Sequence, residues 1–192
     1  MNKHPQKTEN PLLKECLFTA LIKLMDQKDF KDIKISEITQ KAGVSRMTYY
    51  RTYDSKEDIL IQYFEDQSQK MLLELTANPE STVYEVFCLF FAFFKKEAHL
   101  MEYLYKAGLL QEVIQRFATF VSGAYDKSDS HMLESKHKSY EVTFLSGGLF
   151  FLLLHWIERG LIEAPEEMAQ MTMRLLHIPI EPNDLTLNGV IL

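Results

Sequence analysis

Between Ile33 and Leu60 the chain reads IKISEITQKAGVSRMTYYRTYDSKEDIL, and this stretch concentrates side chains suited to gripping a nucleic acid. Arg46, Thr48, Tyr49 and Arg51 project polar or aromatic groups from one short segment. An arginine fork matches the two acceptors on a guanine edge, while tyrosine and threonine suit phosphate oxygens or contact with a thymine methyl. Lys56 falls in the first turn of the next predicted helix, where unpaired amides and the helix dipole add to its attraction for phosphate. No nucleophile elbow, phosphate loop or dinucleotide fingerprint occurs, so an enzymatic reading has no support. His99, His137 and His155 are isolated and lack the paired spacing of a metal site, so neither a metal nor a cofactor is expected.

Such side chains work only when short helices hold them in place. Ile35, Ile38 and Ala42 share one helical face, and Gly43 supplies the positive-φ position that ends that helix. Ser45 caps a second helix over 46–53, and Ser55 with Asp58 three residues later opens a longer one in the manner of a capping box. Upstream, Asn10-Pro11 starts an amphipathic helix to about Gln27, followed by a charged link over 28–34. The layout is helix, tight turn, helix, whose second helix is shaped to enter a DNA major groove.

The order of Ala42, Gly43, Val44, Ser45, Thr48, Tyr49, Tyr50, Tyr53, Ser55, Lys56, Glu57, Ile59 and Leu60 closely resembles the DNA-binding signature of the tetracycline repressor (TetR) family of bacterial transcriptional regulators. The likeness covers roughly the first 65 residues. It implies an all-α protein: a three-helix N-terminal domain that binds an operator half-site, and a larger helical C-terminal domain that dimerises and binds an effector. It also implies that Tyr50 and Lys56 hold phosphates, while Arg46, Thr48, Tyr49 and Arg51 fall where sequence readers lie. The chain departs from the family pattern at Lys34, where Thr is common, at Met47, where a small residue is common, and at Thr52-Tyr53, where His-Phe is common.

Charge agrees with a local DNA site. The whole chain carries −6, but residues 1–60 hold 11 Lys+Arg against 9 Asp+Glu, leaving the acidic excess to the remainder. With 46% apolar residues, 7 Gly and 6 Pro in 192, the composition is that of a folded, helix-rich protein. Cys16 and Cys88 stand alone and read as small packing residues in a reducing compartment. The polar N-terminus lacks an apolar signal and the greasiest stretch, 144–157, is shorter than the roughly 20 residues of a membrane span. A cytoplasmic protein with no membrane partner is expected.

We place the DNA-binding domain at 1–60 and a helical ligand-binding and dimerisation domain at 61–192. Within the latter, helices are predicted at about 97–107, 109–124, 136–159 and 165–177, with a loop over 123–135. The last two could form a four-helix bundle with a twin subunit, Gly147-Gly148 allowing close approach. Residues 156–170, WIERGLIEAPEEMAQ, are similar to the closing helices of a TetR subgroup near the activator of dihydroxyacetone utilisation operons. Val83, Val86, Phe87, Phe90, Phe91 and Phe94 form a broad apolar face after a Ser81 or Thr82 cap. Phe87, Phe90, Phe91, Tyr103 and His155 are candidates to frame a cavity for a small apolar effector, although plain core packing explains the same spacing. The resulting expectation is a homodimeric repressor of a double-stranded DNA operator, released by an effector. The alternative is an adaptor on the same fold that acts through a protein partner.

Overall fold

A computed structural model describes residues 10–78, 81–127 and 138–176. The regular elements among them are helices: α1 Pro11–Met25, α2 Ile35–Ala42, α3 Arg46–Thr52, α4 Lys56–Thr76, α5 Val83–Lys96, α6 Ala98–Lys106, α7 Leu110–Lys127, α8 Lys138–Glu158 and α9 Pro165–Leu175, with one 3-10 turn at Phe30–Asp32. The chain does not divide at a single point near residue 60. Packing gathers the segment up to Asp66 with Leu100–Val113 into one unit, and the segments from Gln67 to His99 and from Ile114 onward into a second.

In the first unit, Asn10 caps α1 by accepting from the Leu13 amide at 3.2 Å, and Pro11 follows at the first helical position. The buried face of α1, Leu17, Ala20, Leu21, Leu24 and Met25, lies in a core with Ile38, Tyr49, Tyr53, Ile59, Leu60, Phe64, Leu100 and Leu104. Phe18 and Tyr63 stack with ring centroids 3.6 Å apart, and Lys14 reaches Asp66 at 3.1 Å, so α1 and the first half of α4 are joined along their length. Segment 28–34 is more than the expected charged link, since it carries the 3-10 turn whose Phe30 is buried.

The second unit is built on aromatic rings. Of the two expected caps, Ser81 or Thr82, it is Thr82 that caps α5, and Glu85 answers in a full capping box. Phe90 meets Phe91, Phe94 and Phe117 at centroid distances of 5.0, 4.9 and 5.8 Å. Phe91 stands edge-on to Trp156 at 5.6 Å, and Phe117 touches Phe150 at 5.7 Å. Phe87 packs instead on the Val83–Met173 cluster that joins α5 to α9. The Trp156 indole N–H is buried within this group without a hydrogen-bond partner. α7 continues past Gly123 to Lys127, so the first part of the expected loop is helical. The rest of that loop, His137 and the tail from Pro179 lie outside the described residues.

These contacts favour core packing for the aromatic face of α5. Phe90 and Phe91 are buried against other rings, and His155 is exposed. Tyr103 belongs to the first unit, where its hydroxyl donates to Asp26 at 2.8 Å. Helical spacing gathered the phenylalanines on one face, but rings from α7 and α8 fill the space against it. Truncating Phe91 to Ala should therefore destabilise the protein by about 3–5 kcal/mol, the cost of a large core cavity. Chemical denaturation checks this, and a loss below about 1 kcal/mol would mean the site is already hollow.

Candidate nucleic-acid interface

α2 and α3 contain only 8 and 7 residues, too short to persist without anchors, and every anchor is visible. At the start of α2 Lys34 offers no acceptor, and Glu37 supplies the cap by accepting from the Lys34 amide at 2.9 Å. The Lys28 ammonium donates to both Glu37 oxygens at 2.7 Å. The Lys28 hydrogen bond, and then the Lys34 amide, hold the Glu37 carboxyl below the usual carboxylate range. Gly43 ends α2 at φ 69°, and the Val44 amide closes the turn on the Thr39 carbonyl at 3.0 Å. Ser45 then caps α3 by accepting from the Thr48 amide at 3.0 Å.

The rotation of α3 is set by what it buries. Tyr49, Thr52 and the following Tyr53 are buried, so with about 100° per residue the opposite arc must face outward. That arc is Arg46, Met47, Tyr50 and Arg51, with Met47 68% and Tyr50 56% exposed. Thr48 lies at its border, half-buried, its hydroxyl 2.9 Å from that of Ser45. Tyr49 is thus not the base reader the sequence suggested. Its hydroxyl is buried without a hydrogen-bond partner, and burial pushes its ionisation far above the ordinary tyrosine range. Met47 occupies the outward position instead, a place sequence reasoning noted only as a departure. The signal was present in the spacing, since Tyr49, Thr52 and Tyr53 share a helical side.

Lys56 also differs from expectation. Its ammonium donates to the carbonyls of Phe30, Lys31 and Ile33 at 2.6, 3.1 and 3.0 Å and lies 4.5 Å from the centre of the Phe30 ring. All three of its N–H groups are taken up within the chain, which makes it a strut between the 3-10 turn and the start of α4 rather than a phosphate clamp. The neighbouring capping box is closed, with the Asp58 carboxylate accepting from the Asp54 and Ser55 amides at 2.9 and 3.1 Å, and Ser55 accepting from the Asp58 amide at 3.2 Å. Among the described residues no group of His, Cys, Asp and Glu is arranged to hold a metal.

The geometry is that of a helix-turn-helix with one outward arc, and comparison with known families agrees with it. The sequence profile described as bacterial regulatory proteins, tetR family, matches residues 17–63, and that of a transcriptional regulator C-terminal region matches residues 81–178. The chain belongs to the TetR family of transcriptional regulators. Among solved structures, this TetR-family protein is similar to the dihydroxyacetone kinase operon activator DhaS, with a TM-score of 0.62 and 18% identity over 88% of this chain and 96% of that one. It is also similar to the fatty acid degradation regulator FadR from Bacillus halodurans, with a TM-score of 0.58 and 15% identity over 92% of this chain and all of that one. No curated protein sequence matches it. At these identities the solved structures establish a shared fold.

The strut role of Lys56 makes a specific prediction. Lys56→Met should lower stability by about 1–3 kcal/mol, because charged hydrogen bonds to carbonyls are lost. The slope of log affinity for DNA against log salt should stay as in the parent. A slope smaller by about 0.9 would instead mark Lys56 as a phosphate contact.

Proposed function

We propose that the protein is a homodimeric, sequence-specific DNA-binding regulator that represses by occupying an operator and leaves it when a small molecule binds. The observation that carries this reading is the outward arc of α3. Two arginines and a tyrosine occupy one exposed side of a helix whose other side is anchored by buried Tyr49 and Thr52. Arg46 and Arg51 have the donor geometry for guanine edges, and Tyr50 a hydroxyl for a phosphate. The near-neutral first third, 11 basic against 9 acidic residues, suits a small footprint with few phosphate contacts.

Support for the dimer comes from α8, which has two apolar faces. Val142, Ser146, Phe150, Leu153 and Trp156 are buried on one side. Tyr140, Phe144, Gly148, Phe151 and His155, spaced i, i+4, i+8, i+11 and i+15, form an exposed stripe on the other. By length and composition α8 would pass for a membrane span, but its buried face and its place in a helical unit suit a partner helix better. A second copy applied through the same stripe makes a symmetric pair, and a symmetric pair reads two half-sites on one DNA face about 34 Å apart when they are adjacent. An effector that favours a dimer of different separation then releases DNA by population shift, with no chemical step.

Two experiments test this. Selection from random duplexes should enrich a palindrome, and Arg51→Ala should relax preference at one base pair of each half-site by about 1–3 kcal/mol. No enrichment would favour an adaptor that acts through a protein partner. For the dimer, an added Cβ at Gly148 meets nothing within 4 Å, so a side chain there fits a lone chain. Gly148→Arg should give folded monomers in sedimentation and weak operator binding, whereas an unchanged dimer would place the interface elsewhere.

A further inference from the structure

A cavity of about 570 Å³ lies in the first unit, away from the α3 arc, between the end of α1, the link before α2 and the turn from α6 to α7. Its volume falls in the range of small-molecule sites. Met25 and Phe30, each 7% exposed, give it an apolar floor. Three lysines line it, Lys28, Lys31 and Lys106, with Asp29 the one acidic residue among its lining. Lys28 is fixed, chelated by Glu37. The other two are lightly held. Lys31 pairs with Asp29 at 3.6 Å, both side chains about three-quarters exposed, and Lys106 pairs with Glu102 along the surface of α6 at 2.7 Å, both about half exposed. Exposed pairs of this kind contribute little, so either ammonium exchanges its partner for another carboxylate at small cost.

We propose that this cavity binds a small amphipathic monoanion, its aryl or alkyl body on Met25 and Phe30 and its carboxylate between Lys31 and Lys106. With Lys28 neutralised by Glu37, Lys31 and Lys106 stand against Asp29 with one net positive charge, which a single carboxylate cancels. The Phe30 ring that forms the floor is also the ring on which Lys56 sits, and its carbonyl is one of the three that Lys56 holds. A ligand here therefore bears on the turn that fixes the start of α4. That consequence for DNA rests on the regulator reading; the site itself does not.

Calorimetric titration of the intact, DNA-free protein with 4-phenylbutyrate tests the site, with 4-phenylbutanamide as the neutral isostere and inorganic phosphate as charge alone. The carboxylate should bind, the amide should bind about tenfold or more weaker, and phosphate should give no binding heat. Lys31→Gln with Lys106→Gln, both on exposed side chains that leave the core intact, should cost about tenfold, whereas Lys95→Gln, near Trp156 in the second unit, should change nothing. No binding at millimolar concentrations, equal binding of acid and amide, or full affinity in the double variant would overturn the proposal. A protein that binds the acid as described but enriches no DNA sequence would keep the site and overturn only the regulator reading.

Discussion

Three hydrogen bonds from one ammonium hold the helix-turn-helix of this protein to the start of α4. Lys56 ties the carbonyls of Phe30, Lys31 and Ile33 to the first turn of α4, so the end of the α1–α2 link cannot move without α4. Helices as short as α2 and α3 have almost no stability of their own. Their positions follow from that strut, from the Glu37 bridge between Lys28 and the Lys34 amide, and from the left-handed turn at Gly43. Once the frame is fixed, burial of Tyr49 and Thr52 sets the rotation of α3 and so decides which side chains face outward.

The sequence was most informative where the physics is local. Asn10-Pro11, Gly43, the Ser45 cap and the Ser55–Asp58 box all depend on residues at most five apart, and each stands where its pattern placed it, while of the two caps offered for α5 it is Thr82 that serves. It was least informative where partners lie far along the chain. The acceptors for Lys56 are 23 to 26 positions away, and nothing in a lysine at a helix start distinguishes a carbonyl strut from a phosphate contact. Tyr49 shows a third kind of limit: a tyrosine in a basic helix suits both a core and a groove, and only its sharing a side with Thr52 and Tyr53 separates the two. The aromatic stripe of α5 had the same ambiguity. Spacing identifies a shared face but not what packs on it, and here Phe117 and Trp156 meet it, with Phe150 behind Phe117.

The packing also changes where control would enter. Because α6 lies with α1 through Tyr103 and Asp26, the unit that carries α3 includes a segment far beyond residue 60. Burial, and then the hydrogen bond to Asp26, push the Tyr103 hydroxyl up to about 12, so it remains a donor to that carboxylate throughout the neutral range. The second unit contributes a different asset, a helix with one face in an aromatic core and the other exposed, which is what symmetric association requires.

The central claim is that α3 presents Arg46, Met47, Tyr50 and Arg51 while Tyr49 belongs to the core, and the operator affinity of Tyr49→Phe tests it most directly. The change removes only a buried hydroxyl without a hydrogen-bond partner. The account predicts an affinity within about twofold of the parent, with stability equal or higher. A loss of about tenfold or more with stability unchanged would mean that Tyr49 touches DNA and would contradict the rotation of α3 described here.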